Sequence, residues 1–393
     1  MLLASCATTR TAVQNAQRVA EGGSIDRTAM RHAFDSDRKV IGGDLQQVRQ
    51  RVLRAFAELR SNVRKHWGAR DTKVASRTVY VKYTQGYRTR VVTDFDHGVV
   101  TIETLESAES LRRAIVGALL TPDDPSALDL FSDGDVRLEP GREPYLYGLV
   151  HDNRGRAIRT RGAAEQYASY LVAHRMRTRA VKGEEGNETA RFVRLYMVRN
   201  FEARNAERYR LAVDKYAARY EVSPTLVLAI IRTESNFNPF AVSTAPAYGL
   251  MQLVPTTGGR EAYRRVRGID EAPSPQYLFD PDHNIELGAA YLGELSRSDF
   301  GAIANPVSRD YCVIAAYNTG PGNVLRTFGR GREDALQAIN GIEPASLFER
   351  LRTRLPSDET RVYVVRVTDY RREFVGAPTG PAVTVSTGVG VVP

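Results

Sequence analysis

Ser223-Pro224-Thr225-Leu226-Val227-Leu228-Ala229-Ile230-Ile231-Arg232-Thr233-Glu234-Ser235 is the stretch on which the fold turns. Ser223 is a good helix N-cap. Pro224 suits the first helical position, where its missing N–H would be unpaired anyway. Residues 226–231 are apolar all round, so the helix is expected to be buried. Asn236, Asn238 and Pro239 close it. Glu234 therefore falls at the C-terminal end of a buried helix, with Ile230, Ile231 and Phe237 beside it at i−4, i−3 and i+3. Desolvation disfavours a carboxylate there, and so does the partial negative charge of the helix C-terminus. A carboxylic acid kept protonated near neutral pH is what glycosidic-bond cleavage needs. Taken alone, this helix is served more simply by a surface Glu on its last turn, or by one paired with Arg232.

Outward from this helix the period is helical. Helices are expected at about 203–220, 223–235, 246–254, 282–297, 308–318, 344–354 and 357–374, joined by connections rich in Gly, Pro and Asn. Upstream the pattern differs. A helix is expected at 45–67, with Val48, Val52, Leu53, Phe56 and Leu59 at helical spacing. Alternating segments at 78–83, 90–95 and 99–104 read as strands, the last two joined by Asp96-His97-Gly98. A helix at 107–120, a hairpin with strands at 145–150 and 157–159, a helix at 163–176 and a strand at 192–198 follow. The fold class is α+β: an antiparallel-sheet α+β domain over 36–200, then an all-α domain over 201–376. Residues 1–35 read as a polar tether and 377–393 as a disordered tail.

The 393 residues carry a net charge of +9, with 42% hydrophobic and 26% charged residues, enough for a sizeable core. A basic balance favours acidic partners. The arginines are scattered, and neither an RNA-binding signature nor a basic recognition helix is present, which argues against nucleic acid. No segment has the ~18 apolar residues of a membrane span. His32, His66, His97, His151, His174 and His283 lack metal-ligand spacing, and there is no Gly-x-Ser-x-Gly elbow or phosphate loop. No metal or cofactor is expected. Cys312 lies in the apolar run 311–316, where a free cysteine is core filler.

Three further segments change the reading of Glu234. They are Ala247-Tyr248-Gly249-Leu250-Met251-Gln252, then Ala315-Ala316-Tyr317-Asn318 with Thr319-Gly320-Pro321-Gly322, and Ser357-Asp358-Glu359-Thr360-Arg361-Val362-Tyr363-Val364. With Glu234-Ser235 they resemble, in order, the motifs of the family 1 lytic transglycosylases, whose catalytic (SLT) domain has a goose-lysozyme-like fold. The resemblance covers about 205–375. Val81-Lys82-Tyr83-Thr84, Thr101-Ile102-Glu103-Thr104, Leu111-Arg112-Arg113-Ala114-Ile115 and Glu143-Pro144-Tyr145-Leu146-Tyr147-Gly148 resemble the membrane-bound lytic murein transglycosylase C group, so the likeness runs from about 40 to 375.

The resemblance implies cleavage of the MurNAc-β-1,4-GlcNAc bond of peptidoglycan without water, leaving 1,6-anhydroMurNAc ends. It makes Glu234 the general acid and then the base. Ser235 would hold the Glu or the substrate N-acetyl group. Gly249, Leu250, Met251 and Gln252 would line the glycan groove, Gln252 bonding to sugar, with Tyr317 and Asn318 beside them and the Tyr363 hydroxyl near Glu234. Core packing is the plain alternative for Leu250, Met251 and Tyr317, and a helix C-cap for Asn318. No convincing second carboxylate stands out; Asp280, Asp282 and Glu286 read as loop and N-cap residues.

Leu3-Ala4-Ser5-Cys6 resembles a lipobox, which implies a lipid anchor at Cys6 and a place on the periplasmic face of the bacterial outer membrane. Only Met1 to Ser5 precede it, short of the ~7–15 apolar residues of a secretory signal. An upstream start, a trimmed chain and a chance likeness all stay open. Two rival functions remain: a muramidase that uses water, and a non-catalytic peptidoglycan-binding scaffold. The N-terminal domain reads as a binding module within the enzyme, for docking to peptidoglycan or cell-wall partners, and its sequence names no ligand.

Overall fold

The computed structural model describes residues 45–376, apart from 124–129, 137, 139–141 and 244–246. The Cys6 lipobox, the 1–35 tether and the 377–393 tail lie outside the described residues.

The first half is built on a five-stranded antiparallel sheet. Its strands are β1 (Val79–Thr84), β2 (Thr89–Asp94), β3 (Val99–Thr104), β4 (Arg177–Lys182) and β5 (Asn187–Tyr196), in the order β1-β2-β3-β5-β4. Register is set at Val79↔Asp94, Thr89↔Thr104 and Val99↔Tyr196. Side chains alternate across a strand. Tyr80, Val100, Ile102, Val193 and Leu195 thus face one side, in a cluster with Leu111 and Ile115 of α2 (Ala108–Leu120) and Ala164 and Leu171 of α3 (Arg161–His174). Val81, Tyr83, Val181 and Ala190 face the other, against Leu59, Val63 and Trp67 of α1 (Leu45–Asp71).

The second half is helical. Its helices are α4 (Phe201–Tyr220), α5 (Pro224–Ser235), α6 (Gly258–Arg267), α7 (Pro275–Phe279), α8 (Pro281–Glu294), α9 (Pro306–Thr319), α10 (Pro321–Arg326), α11 (Arg332–Asn340), α12 (Pro344–Arg354) and α13 (Asp358–Gly376), with a π turn, Leu295–Asp299, extending α8. Proline opens α5, α7, α8, α9, α10 and α12, where its fixed φ starts a helix without losing an internal hydrogen bond.

One apolar core joins the halves. Phe240, just past α5, stacks on Tyr80 of β1 at 4.1 Å between centroids and meets Tyr145 edge-on at 5.2 Å. All three rings are fully buried, and burial of each contributes ~1.5–3 kcal/mol. Gly98, in the β2–β3 turn, lets α4 seat close by, since a Cβ there would lie 2.9 Å from the Phe201 ring.

Two sequence expectations fail. Residues 145–150 are turns and not a strand, and only a single bridge, His151↔Ala157, marks the expected hairpin. The buried residues are Tyr145, Leu146, Leu149 and Val150, in adjacent pairs four apart, and Gly148 sits at φ +73°. That is turn spacing, not alternation. The expected helix at 246–254 is likewise a pair of tight turns, bridged at Val242↔Tyr248 and Tyr248↔Leu253. Gly249 (φ 73°) and Gln252 (φ 46°) are left-handed, a conformation no α-helix accommodates. Strand β4 was missed because Arg177-Thr178-Arg179-Ala180-Val181-Lys182 is a charged edge strand, with Val181 alone fully buried.

Candidate active site

Helix α5 ends sharply. Asn236 and Phe237 both take positive φ, 46° and 62°, and Asn236 N–H closes the last turn on the Arg232 carbonyl. Asn tolerates this conformation through local side-chain bonding. Here the Asn236 amide donates to the Phe95 carbonyl of the β2–β3 turn at 2.8 Å, and Asn238 donates to the Arg77 carbonyl at 3.1 Å. The end of α5 is thereby fastened to the sheet half.

Glu234 lies on that last turn, only 6% exposed. Tyr363, carried by α13 alongside α5, donates its hydroxyl to Glu234 Oε1 at 2.8 Å. An Arg77 guanidinium nitrogen stands 3.7 Å from Oε2. Burial pushes the carboxyl up to about 7, opposed by the Tyr363 hydrogen bond and the Arg77 charge, and assisted by the Glu359 charge. Such a group exchanges a proton near neutral pH. Arg232 does not pair with it. Its guanidinium turns away to Glu202 and Glu373 and lies over the Tyr370 ring.

The acid opens into a cleft of about 1030 Å³. Gln252, Tyr317 and Asn318 line it. Gln252 donates to the Gly249 carbonyl at 3.0 Å, while its own side-chain oxygen has no protein partner. Asn318 accepts from Thr360 at 2.7 Å, tying α9 to α13; the C-cap of α9 is Gly320 instead. The Tyr317 hydroxyl donates to the Met251 carbonyl at 2.9 Å.

Four expected residues are placed elsewhere. Ser235 is fully buried and donates to the Ile231 and Leu250 carbonyls, so it holds the turn and not the Glu. The Leu250 and Met251 side chains are fully buried, which corrects their assignment to the groove surface. Gly249 lies beneath that surface too, where a Cβ would sit 2.4 Å from the Leu278 carbonyl oxygen. All four belong to the scaffold under the cleft.

Sequence reasoning missed several participants. Asn284 on α8 is fully buried and staples the 248–251 turn, donating to the Tyr248 and Leu278 carbonyls and accepting from Met251 N–H at 2.8 Å. Its neighbours Asp282, His283 and Glu286 are polar, so the sequence carried no signal of its burial. Arg77, Asp96, Tyr291, Glu359 and Arg366 also line the cleft. Asp96 accepts from Thr78 and Asn236, whereas Glu359 is exposed at the start of α13. As expected, Asp280 caps α8 by accepting from His283 N–H. Glu286 is instead a buried carboxylate paired with Arg219 and Arg267. Cys312 is buried in the core, and burial pushes its thiol up to about 12. Among the described residues no three His, Cys, Asp or Glu side chains cluster as a metal site.

The N-terminal-domain family of membrane-bound lytic murein transglycosylase C matches residues 45–208, and the transglycosylase SLT domain family matches residues 212–340. The chain is 42% identical to the membrane-bound lytic murein transglycosylase C of Yersinia pestis (strain Pestoides F) over 317 residues, 80% of this chain and 87% of the relative. The same figures hold for that of Yersinia pseudotuberculosis serotype O:1b. Among solved structures it is similar to an inactive mutant of the lytic transglycosylase Slt of Pseudomonas aeruginosa, with 35% identity, 42% of this chain and 23% of that one covered, and a TM-score of 0.32. The 70-kDa soluble lytic transglycosylase of Escherichia coli shares 30% identity, with 43% of this chain and 24% of that one covered and a TM-score of 0.33. The chain thus spans about a quarter of the length of these solved proteins.

Proposed function

The chain belongs to the membrane-bound lytic murein transglycosylase C family of enzymes, and from that premise we propose that it cleaves the MurNAc-β-1,4-GlcNAc bond with Glu234 as sole acid and base. The observation that carries this is the Glu234 carboxyl, buried where it lines a cleft and held by the Tyr363 hydroxyl, so that burial pushes its pKa up to about 7.

The steps follow from one proton-exchanging group. Glu234 gives its proton to the GlcNAc O4 as the bond from MurNAc C1 to O4 breaks, the bonding pair leaving with O4. The MurNAc 2-acetamido oxygen closes on C1. Glu234, now a carboxylate, takes the proton of the MurNAc C6 hydroxyl, whose oxygen attacks C1 and expels the acetamide. A 1,6-anhydro ring forms, no water is consumed and Glu234 is again protonated. A second carboxylate is unnecessary because the substrate supplies the nucleophile, unlike the two-carboxylate arrangement of most glycosidases. Gln252 Oε1, buried without a partner, suits a sugar N–H or O–H, since an unpaired buried acceptor is costly until filled.

The proposed setting is the periplasmic face of the outer membrane, held by a lipid on Cys6. The lipobox-like Leu3-Ala4-Ser5-Cys6 supports this, as does the membrane-bound naming of the relatives. No helix among the described residues is long and apolar enough to cross a membrane.

Digestion of purified sacculi, with soluble muropeptides read by mass spectrometry, tests the function. Wild type is expected to release anhydro-ended products and Glu234→Gln to lose ~10²–10⁴-fold in rate. Reducing-ended products would make the enzyme a water-using muramidase. Equal release by both proteins would remove Glu234 from the chemistry.

A further inference from the structure

Arg77 precedes β1 and belongs to the sheet half, yet it reaches the proposed acid. Its position is fixed by the backbone around it. The Arg77 carbonyl accepts from Asn238, the Ser76 carbonyl accepts from Val242 N–H at 3.4 Å, and the Thr78 carbonyl accepts from Phe95 N–H at 2.9 Å. Segment 76–78 is thus clamped between the β2–β3 turn and the loop after α5, whatever side chain stands at 77. From that clamp the guanidinium lies 3.7 Å from Glu234 Oε2, while Tyr363 holds Oε1. Each carboxyl oxygen meets one group, and the two groups come from different halves of the chain.

The other charges and titratable groups near Glu234 do not fill this role. Arg232, on the same helix, is engaged with Glu202 and Glu373. Glu359 carries like charge, and Tyr317 and Tyr363 are held neutral by burial. Asp96 is occupied by Thr78 and Asn236. Arg366 lines the cleft from an exposed position on α13.

We propose that Arg77 is a positioning residue of the transglycosylase reaction, supplying the counter-charge to the Glu234 carboxylate between proton donation and proton recovery. It completes the site with a group from the sheet half. The separation suits this task. A direct, doubly bonded Arg–carboxylate pair would hold the Glu ionised and spoil it as an acid. A cation just beyond hydrogen-bond distance still stabilises the transient anion. The proposal rests on the reading of Glu234 as acid and base.

The test compares the full-length wild type with Arg77→Met, Arg77→Lys and Glu234→Gln. Anhydro-ended product from soluble glycan strands is measured against pH, and the Glu234 carboxyl is titrated by ¹³C NMR, which needs no turnover. Arg77→Met is expected to move both the alkaline limb of kcat/KM and the NMR midpoint up by about one pH unit, because an opposite charge beside a carboxyl lowers its pKa. Arg77→Lys, which keeps the charge, is expected to bring both back. An unmoved midpoint in Arg77→Met, with or without loss of activity, would overturn the proposal. Anhydro products formed by Glu234→Gln at the wild-type rate would instead overturn the acid–base reading beneath it, independently of what Arg77 does.

Discussion

Glu103 in the sheet half and Glu234 in the helical half are equally buried, 5% and 6% exposed, but they are neutralised differently. Glu103 accepts from Arg90 at 2.7 Å on one oxygen and from Arg179 at 2.9 Å on the other. Arg90 is itself 1% exposed and lies over the Trp67 ring at 3.8 Å, while Arg179 continues to Asp71. Every charge in this cluster has a direct partner. Glu234 has one hydroxyl in hydrogen-bond contact and one guanidinium beyond it. Burial sets the cost of a charge, and the partners decide whether it is met. Where it is met in full, the carboxylate is part of the architecture. Where it is met in part, the proton is exchangeable.

Removing a partner from the fully neutralised cluster should have the largest effect on stability. Arg90→Met leaves Glu103 with Arg179 alone in a buried setting, and breaking such a pair costs ~3–5 kcal/mol. Urea unfolding of the variant should show a loss of this size, with the product ends of the folded fraction unchanged. A loss below ~1 kcal/mol would break the contrast.

At Glu234 the same logic runs the other way. Burial in the folded protein pushes the carboxyl from its ordinary value of 4.5 up to about 7. Between these values the folded protein keeps a proton that the unfolded chain has released. Stability from this group is therefore complete below pH 4.5 and is lost as pH rises through 7. Gln does not titrate, so Glu234→Gln should gain on wild type across that window, by roughly 3 kcal/mol above pH 8. Thermal melts at pH 4, 6 and 8 check it, and a constant difference would contradict it.

Tyr363→Phe should have a smaller effect. It removes the hydroxyl donor from the carboxylate, a bond worth ~1.5–3 kcal/mol to a charged acceptor. The expected result is a roughly 10- to 100-fold slower reaction, with the alkaline limb moved upward because the lost bond favoured the ionised form.

What the sequence disclosed follows the reach of local physics. Helix α5 was legible because Pro224, the apolar run and Asn236 act within a few residues of one another, whereas a catalytic rather than a surface Glu234 was legible only through the motifs that accompany it. Tyr363 was placed through the motif resemblance, not by periodicity. The 247–252 turn looked helical because Ala, Tyr, Leu and Met are common in buried helices, and composition does not reveal the positive φ of Gln252. Leu250 and Met251 fall in a motif and are nonetheless core. Arg77 gave no signal at all. It sits in an unpatterned connection between α1 and β1, and only the docking of the sheet half against the loop after α5 brings it to the acid.

Whether Glu234 can serve as the acid is decided by a pH titration of its carboxyl in the wild type, observed by ¹³C NMR of carboxyl-labelled glutamate and assigned by difference against Glu234→Gln. A midpoint near 7 is expected in the free enzyme. A midpoint at the ordinary glutamate value of about 4.3 would contradict it, because such a group would be ionised at neutral pH and unable to protonate the glycosidic oxygen.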